Sequence, residues 1–234
     1  MKFISSPKIS SIISPFTIKT INLSFIFIRN YSHSLGELTD FQKEAIIGLI
    51  LGDLHISKVK TTHNARLMFV QGIKNSDYLI HLYELFSEYC LCTPKVRCRP
   101  DKRTNKTYYS AVFTTRMLPV FNYYHSLFYM DRGVKAIPSD IGNLLTPIGL
   151  AYWAMDDGCK HRKNFYLNTD SFTLEDTLLL IKVLKDNFDL NCTYQVKRKG
   201  QYRIYIKRNS IEKFKTLVTP YFHRSLLYKL EFSY

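Results

Sequence analysis

The sequence lacks a hydrophobic run long enough to cross a lipid bilayer. A transmembrane helix needs about 20 consecutive apolar residues. Lys8, Lys19 and Arg29 interrupt the apolar stretch at the start of this chain. We therefore expect a soluble protein with no role in a membrane.

Acidic residues are scarce relative to basic ones. Thirty-three Lys and Arg residues stand against nineteen Asp and Glu residues, which gives a formal net charge of +14. In a folded protein such an excess favours a polyanionic partner. Nucleic acid is the leading candidate, and an anionic membrane surface is the alternative.

Because 46% of the residues are hydrophobic and 15% are aromatic, the chain can bury a core, which excludes a disordered protein.

The cysteines lack the pairing that a disulfide framework or a zinc site requires. They are odd in number and none forms a C-x-x-C pair. We expect core thiols in a reducing compartment. The five residues are Cys90, Cys92, Cys98, Cys159 and Cys192.

The first 36 residues differ from the rest, since no Asp or Glu occurs before Glu37. Serine is frequent there and the charged residues are basic, a composition typical of a transit peptide. Residues 29–32, which read Arg-Asn-Tyr-Ser, resemble a mitochondrial processing site with cleavage after Tyr31. A tail translated from an upstream exon is the alternative. Either origin predicts an organellar protein, and we expect a mitochondrial one.

Two apolar segments, residues 45–53 and 149–158, look like the same helix end written twice. The first ends at Asp53 and the second at Asp156 and Asp157. A carboxylate at a helix C-terminus opposes the helix dipole, which favours cations there, so two such ends indicate a bound cation. The alternative is that Asp53 is an ordinary helix-end carboxylate and that Asp157 with Gly158 forms a turn.

The repeat extends well beyond these two helices. The hexapeptide that begins at Cys92 aligns with the one that begins at Cys192, and Lys135 aligns with Lys229, at separations that drift by several residues as small insertions would cause. Such self-similarity predicts two homologous halves. We place them at residues 37–144 and 145–234, after the N-terminal segment 1–36.

Each half predicts the order helix, two strands, helix, two strands, helix, which is an α+β fold. Thr39 with Gln42 forms a capping box before the first apolar helix, and Thr146 with Pro147 starts the second. Alternating and helical periodicities place the remaining elements. We expect strands at 66–71 and 165–169, and helices at 77–89, 117–128, 174–187 and 210–217.

Two of the predicted strand pairs are basic. Lys95, Arg97 and Arg99 alternate with apolar residues, and the second half has a similar pattern around a turn at Gly200. One interpretation is that these cationic strand faces only keep the protein soluble and prevent edge-to-edge pairing. A β-ribbon with basic and Gln side chains also fits the DNA major groove. The residues predicted to bind DNA are Lys95, Arg97, Arg99, Lys197, Lys199, Gln201, Arg203 and Lys207.

Taken together, these residues resemble the LAGLIDADG homing endonucleases, and in particular their single-chain, omega-type intron members. Residues 46–54 and 150–158 occupy the two motifs. The likeness runs from Thr39 to Leu230. It is also carried by residues 145–147, 150–153, 155–158, 167–169 and 228–230. Leu51 and Leu54 depart from the motif, and Tyr152 stands where a small residue is common. Gly48 and Gly52 still permit close approach of the helix backbones.

The resemblance implies a monomer of two pseudo-symmetric αββαββα halves that form a saddle over double-stranded DNA with a long recognition site. Asp53 and Asp157 would meet beneath the minor groove and support double-strand cleavage with short 3′ overhangs. The same resemblance implies that the backbone carbonyls of Gly52 and Asp156 are further metal ligands.

The expected ion is Mg²⁺, with Mn²⁺ as a substitute, because Mg²⁺ needs few protein ligands beside water and phosphate. The resemblance assigns Lys135 and Lys229 to polarising water beside the metals. The alternative for both is a solvated surface lysine. His55 and His161 also follow the aspartates, but at different spacings, which argues against a shared ligand role.

Two other functions stay open. The same fold can serve as an RNA maturase that helps a group I intron to splice, with or without residual nuclease activity. It can also serve as a DNA-binding module that does not cleave. The presence of both aspartates and both lysines favours the endonuclease.

Overall fold

The computed structural model describes residues 37–130 and 133–231. The predicted N-terminal segment 1–36 lies outside the described residues. Within the described ranges, no helix is long and apolar enough to span a membrane. The helices are α1 (Asp40–Leu51), α2 (Ser76–Phe86), α3 (Asn122–Phe128), α4 (Ile141–Leu144), α5 (Pro147–Asp157), α6 (Leu174–Phe188) and α7 (Ile211–Val218).

The strands form two four-stranded antiparallel sheets with the same internal order. One has the order β1-β2-β4-β3 and the other β5-β6-β8-β7. This matching order confirms the predicted repeat and the two αββαββα halves. The strands are β1 (His55–Ser57), β2 (Arg66–Gly72), β3 (Lys95–Asp101), β4 (Lys106–Thr114), β5 (Gly158–His161), β6 (Asn164–Thr169), β7 (Cys192–Arg198) and β8 (Gln201–Ile206).

Local capping starts the two motif helices where the sequence predicts. The Thr39 hydroxyl accepts a hydrogen bond from the Gln42 backbone N–H, and the Gln42 side chain accepts one from the Thr39 N–H. The Thr146 hydroxyl accepts from the Gly149 N–H, with Pro147 in the first turn. These caps satisfy backbone donors that a helix start leaves free.

Helices α1 and α5 pack against each other at the centre of the core and join the two halves. At Gly48 the backbones are so close that a Cβ atom would lie 1.9 Å from the Gly149 carbonyl oxygen. Tyr152 does not occupy this contact. Its buried ring packs beside the seam, and its hydroxyl lies 2.9 Å from the His81 Nε2. Gly149 therefore provides the close approach in the second motif.

The β3–β4 ribbon has the predicted alternation. Lys95 pairs with Val112, which pairs in turn with Val70, so all three lie on one face of the sheet. Phe69 and Phe113 stack at 4.4 Å on the opposite, core-facing side. We call the side that carries Lys95 the open face. Arg97 and Arg99 share it by the same register.

The β7–β8 ribbon has the predicted turn but a less regular face. Arg203 and Gln201 lie on its open face, opposite Gln195 and Arg198. A β-bulge separates Val196 from Arg198 and places Lys197 in the irregular step. Lys199 lies in the turn next to Gly200, which has φ +74°, and Lys207 lies just after the strand.

The prediction of core thiols is wrong. Cys92, Cys98 and Cys159 are exposed, and Cys90 and Cys192 are half-buried; all five are free. Cys98 is exposed because the β3–β4 ribbon extends past the core. Burial raises the pKa of the Cys90 thiol to about 11 and that of the Cys192 thiol to about 12.

Candidate active site at the paired helix ends

The two motif aspartates reach one cavity from opposite halves of the fold. Asp53 follows the C-terminal end of α1, and Asp157 is the last residue of α5. Both line a cavity of about 400 Å³, which we call the central cavity. Its lining residues are Gly52, Asp53, Leu54, His55, Tyr129, Gly133, Lys135, Asp157, Asn168, Asp170 and Ser171.

Asp156, by contrast, turns its side chain toward the interface between the halves. Its carboxylate accepts hydrogen bonds from the Asp53 backbone N–H at 3.2 Å and from the Gln71 Nε2 at 3.4 Å. A Cβ atom at Gly52 would lie 2.5 Å from the Cβ of Asp156. The glycine therefore makes the space that the Asp156 side chain fills.

Lys135 and Lys229, the two lysines predicted to act beside the metals, occupy matching positions at the C-terminal ends of α1 and α5. The Lys135 Nζ donates to the carbonyl oxygens of Gly52 at 3.2 Å and Leu54 at 3.4 Å. The Lys229 Nζ donates to those of Met155 at 2.5 Å and Asp156 at 3.3 Å. These contacts neutralise the negative ends of the helix dipoles. They also bring each ammonium group to a carbonyl that the resemblance assigns to a metal.

Burial and charge shift the pKa values of this cluster in opposite directions. Burial raises the pKa of the Asp157 carboxyl to about 7, the Asp53 charge adds to this, and Lys135 and Lys229 oppose it. Burial, and then the Asp53 charge, hold the pKa of Asp156 well above its usual range. The pKa values of both lysines are lowered by burial, and the surrounding aspartates oppose that shift.

Two polar residues of the first half, Gln71 and Asn75, belong to the site although the sequence did not predict them as site residues. The Gln71 Nε2 donates to Asp53 Oδ2 at 3.1 Å, and the Asn75 Nδ2 donates to Gln71 Oε1 at 3.3 Å. Gln71 is buried at the end of β2. In the other half, the Asn168 Nδ2 donates to the Asp157 backbone carbonyl at 2.8 Å. For Gln71, the available signal was a polar residue on the core-facing side of a predicted strand.

The two histidines that follow the aspartates lie in different surroundings. His55 lines the central cavity, and its Nδ1 is 3.3 Å from the Tyr129 hydroxyl. His161 lies at the end of β5 and contacts the Tyr166 ring. The structure thus gives them no shared position, in agreement with their unequal spacing.

The donor set of the central cavity fits a hard divalent cation. Asp53 and Asp157 offer two carboxylates, and the carbonyl oxygens of Gly52 and Asp156 are close to them in the chain. Within residues 37–130 and 133–231, no group of three or more His, Cys, Asp or Glu residues is placed to hold a metal ion by itself. Mg²⁺ needs only one or two carboxylates when substrate phosphates and water complete its shell.

The residues predicted to bind DNA do not all have the same surroundings. Arg203 lies over the Tyr166 ring, with its guanidinium carbon 4.0 Å from the ring centroid, and donates to Gln195 Oε1 at 3.2 Å. The Lys197 Nζ lies 2.6 Å from a carboxylate oxygen of Asp170. Lys95, Arg97 and Arg99 are exposed.

The fold and the site define a protein with two LAGLIDADG motifs fused in one chain. A model of the LAGLIDADG DNA endonuclease family matches residues 43–214. The chain therefore belongs to the LAGLIDADG DNA endonuclease family.

Individual relatives agree with this assignment. The probable intron-encoded endonuclease 1 of Wickerhamomyces canadensis is 33% identical over 88% of this chain and 90% of its own length. The cytochrome b mRNA maturase bI2 of Debaryomyces hansenii is 31% identical over 80% of this chain and 72% of its own length. The structure is similar to that of the homing endonuclease I-WcaI bound to its DNA recognition sequence. The TM-score is 0.78 at 32% identity, over 84% of this chain and 88% of that one.

Proposed function

We propose that this protein is a site-specific, metal-dependent endonuclease of the intron-homing type that cuts both strands of DNA and leaves 3′ overhangs. The observation that carries the proposal is the meeting of Asp53 and Asp157, one from each half, in a single cavity. Two catalytic carboxylates in one site suit the cleavage of two strands at neighbouring phosphates. The named endonuclease relative and the DNA-bound structural relative support it.

The side chains of the site have separable tasks in this mechanism. Asp53 and Asp157, with the carbonyls of Gly52 and Asp156, would hold Mg²⁺ or Mn²⁺. When bound, such ions lower the pKa of water and neutralise charge that develops on phosphate. Lys135 and Lys229 would orient water and stabilise the added negative charge.

Gln71 would fix the orientation of Asp53, since it donates to that carboxylate and is held by Asn75. In the reaction, a water oxygen bonds to phosphorus and the bond to the leaving oxygen breaks. The proton of the water is transferred to solvent, and the leaving oxygen takes up a proton.

The two ribbons would bind the DNA on either side of the scissile phosphates. Their open faces carry cationic and amide side chains, which can contact phosphates and base edges in the major groove. A recognition surface made of two ribbons implies a long site. Since one chain contains both halves, we propose a monomer whose halves are residues 37–144 and 145–234.

Cleavage of a randomised DNA library tests this function. The purified protein with Mg²⁺ should cut at one long site, and Asp53→Asn or Asp157→Asn should abolish cutting while DNA binding persists. Asp186→Asn, which changes an exposed carboxylate of α6, is the matched control and should cut normally. Undiminished cleavage by either site variant would overturn the assignment.

An RNA maturase is the second candidate, because one relative is named a cytochrome b mRNA maturase. In that case the basic ribbons would bind the phosphates of a group I intron RNA. Acceleration of intron splicing by a protein that cuts no DNA in the library assay would establish the maturase function in place of the nuclease.

We also propose a mitochondrial location. It is supported by the composition of residues 1–36 and by the name of the cytochrome b relative. Fractionation of cells that express a tagged full-length chain tests it, and recovery outside the mitochondrial fraction would contradict it.

A further inference from the structure

Asp170 and Lys197 form a close ion pair beside the central cavity. The Lys197 Nζ lies 2.6 Å from Asp170 Oδ2, and both side chains are about one third exposed, at 39% and 36%. Asp170 follows the last residue of β6 and lines the cavity that contains Asp157. The pair therefore places a carboxylate and an ammonium group at the edge of the cavity that contains both motif aspartates.

Among its described residues, the first half has no counterpart of this pair. Its equivalent strand, β2, ends in Gln71 and Gly72, and Gly72 has open space around it. Of these two equivalent strands, only β6 is followed by a carboxylate. In the ribbon of the first half a carboxylate, Asp101, instead ends β3 and lies 3.9 Å from Arg103.

Lys197 also differs from the other cations predicted to bind DNA. It lies in the register shift between Val196 and Arg198, and its Nζ donates a hydrogen bond to Asp170 Oδ2. Within the residues that the structure describes, it is the one member of that set in an ion pair with a carboxylate. The remaining cations of the set are Lys95, Arg97, Arg99, Lys199, Arg203 and Lys207.

We propose that Asp170 competes with DNA phosphates for Lys197 and so weakens the binding of non-target DNA. The inference rests on the proposed DNA-binding function. A non-specific complex is held almost entirely by phosphate contacts. Each cation kept from the phosphates therefore lowers the affinity for the many competing sites of a genome.

The expected effect is modest because the pair is partly exposed. Exposed ion pairs contribute little, so removal of Asp170 should tighten binding to random-sequence DNA by about two-fold to five-fold. The salt dependence is the sharper measure. One additional phosphate contact should make the slope of log K against log[salt] steeper by about 0.9.

Binding of a random-sequence DNA duplex, measured at several salt concentrations with a chelator and no metal, tests the proposal. Asp170→Asn should tighten binding and steepen the slope. The matched control, Asp186→Asn, removes a carboxylate that also lies 2.6 Å from a lysine, Lys182 of α6, and should leave the slope unchanged. Equal slopes for the two Asn variants would overturn the proposal.

Two Lys197 variants complete the design. Lys197→Gln alone should leave the slope of the wild-type protein nearly unchanged, because Asp170 already withholds the lysine. The double variant Asp170→Asn with Lys197→Gln should have the salt slope of the wild-type protein and not the steeper slope of Asp170→Asn. A wild-type slope that falls by about 0.9 on Lys197→Gln would show that Lys197 already contacts phosphate, and would refute the competition.

This test separates two kinds of failure. The measurement needs no cleavage, so an inactive nuclease would leave the proposal about Asp170 intact. A protein that binds no duplex DNA would overturn the proposed function and this inference together. Thermal unfolding curves of the variants, expected to overlay the wild-type curve, check that each one is folded.

Discussion

The backbone N–H of Asp53 donates a hydrogen bond to the side-chain carboxylate of Asp156 at 3.2 Å. This bond crosses from the first half to the second at the centre of the site. Asp156 also accepts from Gln71, which itself holds the Asp53 carboxylate. The position of the first motif aspartate is therefore fixed in part by a residue of the other half.

The adjacent residues Asp156 and Asp157 should respond differently to the same substitution. Asp156→Asn keeps a side-chain oxygen that can accept from Asp53, so we expect a folded protein with most of its cleavage activity. Asp156→Ala leaves the Asp53 N–H and Gln71 without this partner and should lower the free energy of unfolding by about 1–3 kcal/mol. Chemical denaturation and cleavage assays measure the two effects. Equal loss of activity in Asp156→Asn and Asp157→Asn would contradict these roles.

The contact between α1 and α5 should tolerate no side chain at Gly48. A Cβ atom there would lie 1.9 Å from a backbone oxygen of Gly149, so the helices must separate. We expect Gly48→Ala to lower the free energy of unfolding by about 3 kcal/mol or more. Gly72→Ala, with nothing within 4 Å of the added atom, is the control for denaturant unfolding. Equal midpoints for the two variants would be inconsistent with the packing described.

Gln71 should contribute to catalysis by positioning Asp53. Gln71→Ala removes the donor to both Asp53 and Asp156, and loss of a residue that orients a metal ligand costs about 10–100-fold in metal affinity or activity. We expect weaker activation by Mg²⁺ with unchanged DNA affinity. A titration of cleavage rate against Mg²⁺ concentration measures this. Asn75→Ala should weaken activation by Mg²⁺ less than Gln71→Ala does, because Asn75 acts on Asp53 only through Gln71. A larger defect in Asn75→Ala than in Gln71→Ala would argue against this arrangement.

Lys135 and Lys229 should each be required for efficient cleavage. Replacement by Met keeps the length of the side chain and removes its charge, and we expect each variant to lose about 100–1000-fold in rate. Single-turnover assays with separately labelled strands measure the loss on each strand. Lys43→Met, which alters an exposed lysine paired with Asp40, is the control. Rates within a few-fold of the control would show that both lysines only bind the carbonyl groups of the helix ends and take no part in cleavage.

The raised pKa of Asp157 makes the stability of the metal-free protein depend on pH. Its pKa of about 7 lies above the ordinary value, so the folded state binds this proton more readily than the unfolded state. The stability that the proton provides is present at low pH and is lost as pH rises toward 7.

It follows that Asp157→Asn should stabilise the metal-free protein, and more at about pH 8 than at about pH 5. Added Mg²⁺ should stabilise the wild-type protein and have less effect on the variant. Thermal unfolding at the two pH values, with and without Mg²⁺, tests both. A variant that is stabilised more at the lower pH would refute the sign of the shift.

Much of the fold could be predicted because local signals and the repeat agree. The caps at Thr39 and Thr146, the turn at Gly200 and the alternation of the basic strands each mark an element by local chemistry. Their recurrence in both halves fixed the order of the elements. The ribbon edges were less predictable, because the bulge at Lys197 depends on cross-strand register, which no single strand encodes.

The candidate site residues in repeated motifs were easier to predict than the residues that hold them in place. Asp53, Asp157, Lys135 and Lys229 stand in repeated motifs, and the structure brings all four to the paired helix ends. Gln71 has no such motif, since its role depends on where the end of β2 meets the other half.

The core-thiol expectation failed for a different reason at each exposed thiol. Cys92 lies in the bend before β3. Cys98 lies where the β3–β4 ribbon extends past the core, and Cys159 lies on β5 opposite Tyr166.

Gly52 and Asp156 fit together across the interface between the halves. Gly52 has no side chain, and the Asp156 side chain occupies the space that a side chain at position 52 would need. Recombination that transplants one half from a relative would bring together a helix end and a partner that were not selected to match. A residue larger than glycine at position 52 would collide with Asp156 and displace the neighbouring Asp53 and Asp157. Chimeric enzymes built from this chain should therefore exchange residues 52 and 156 as a unit, whichever recognition surface is being changed.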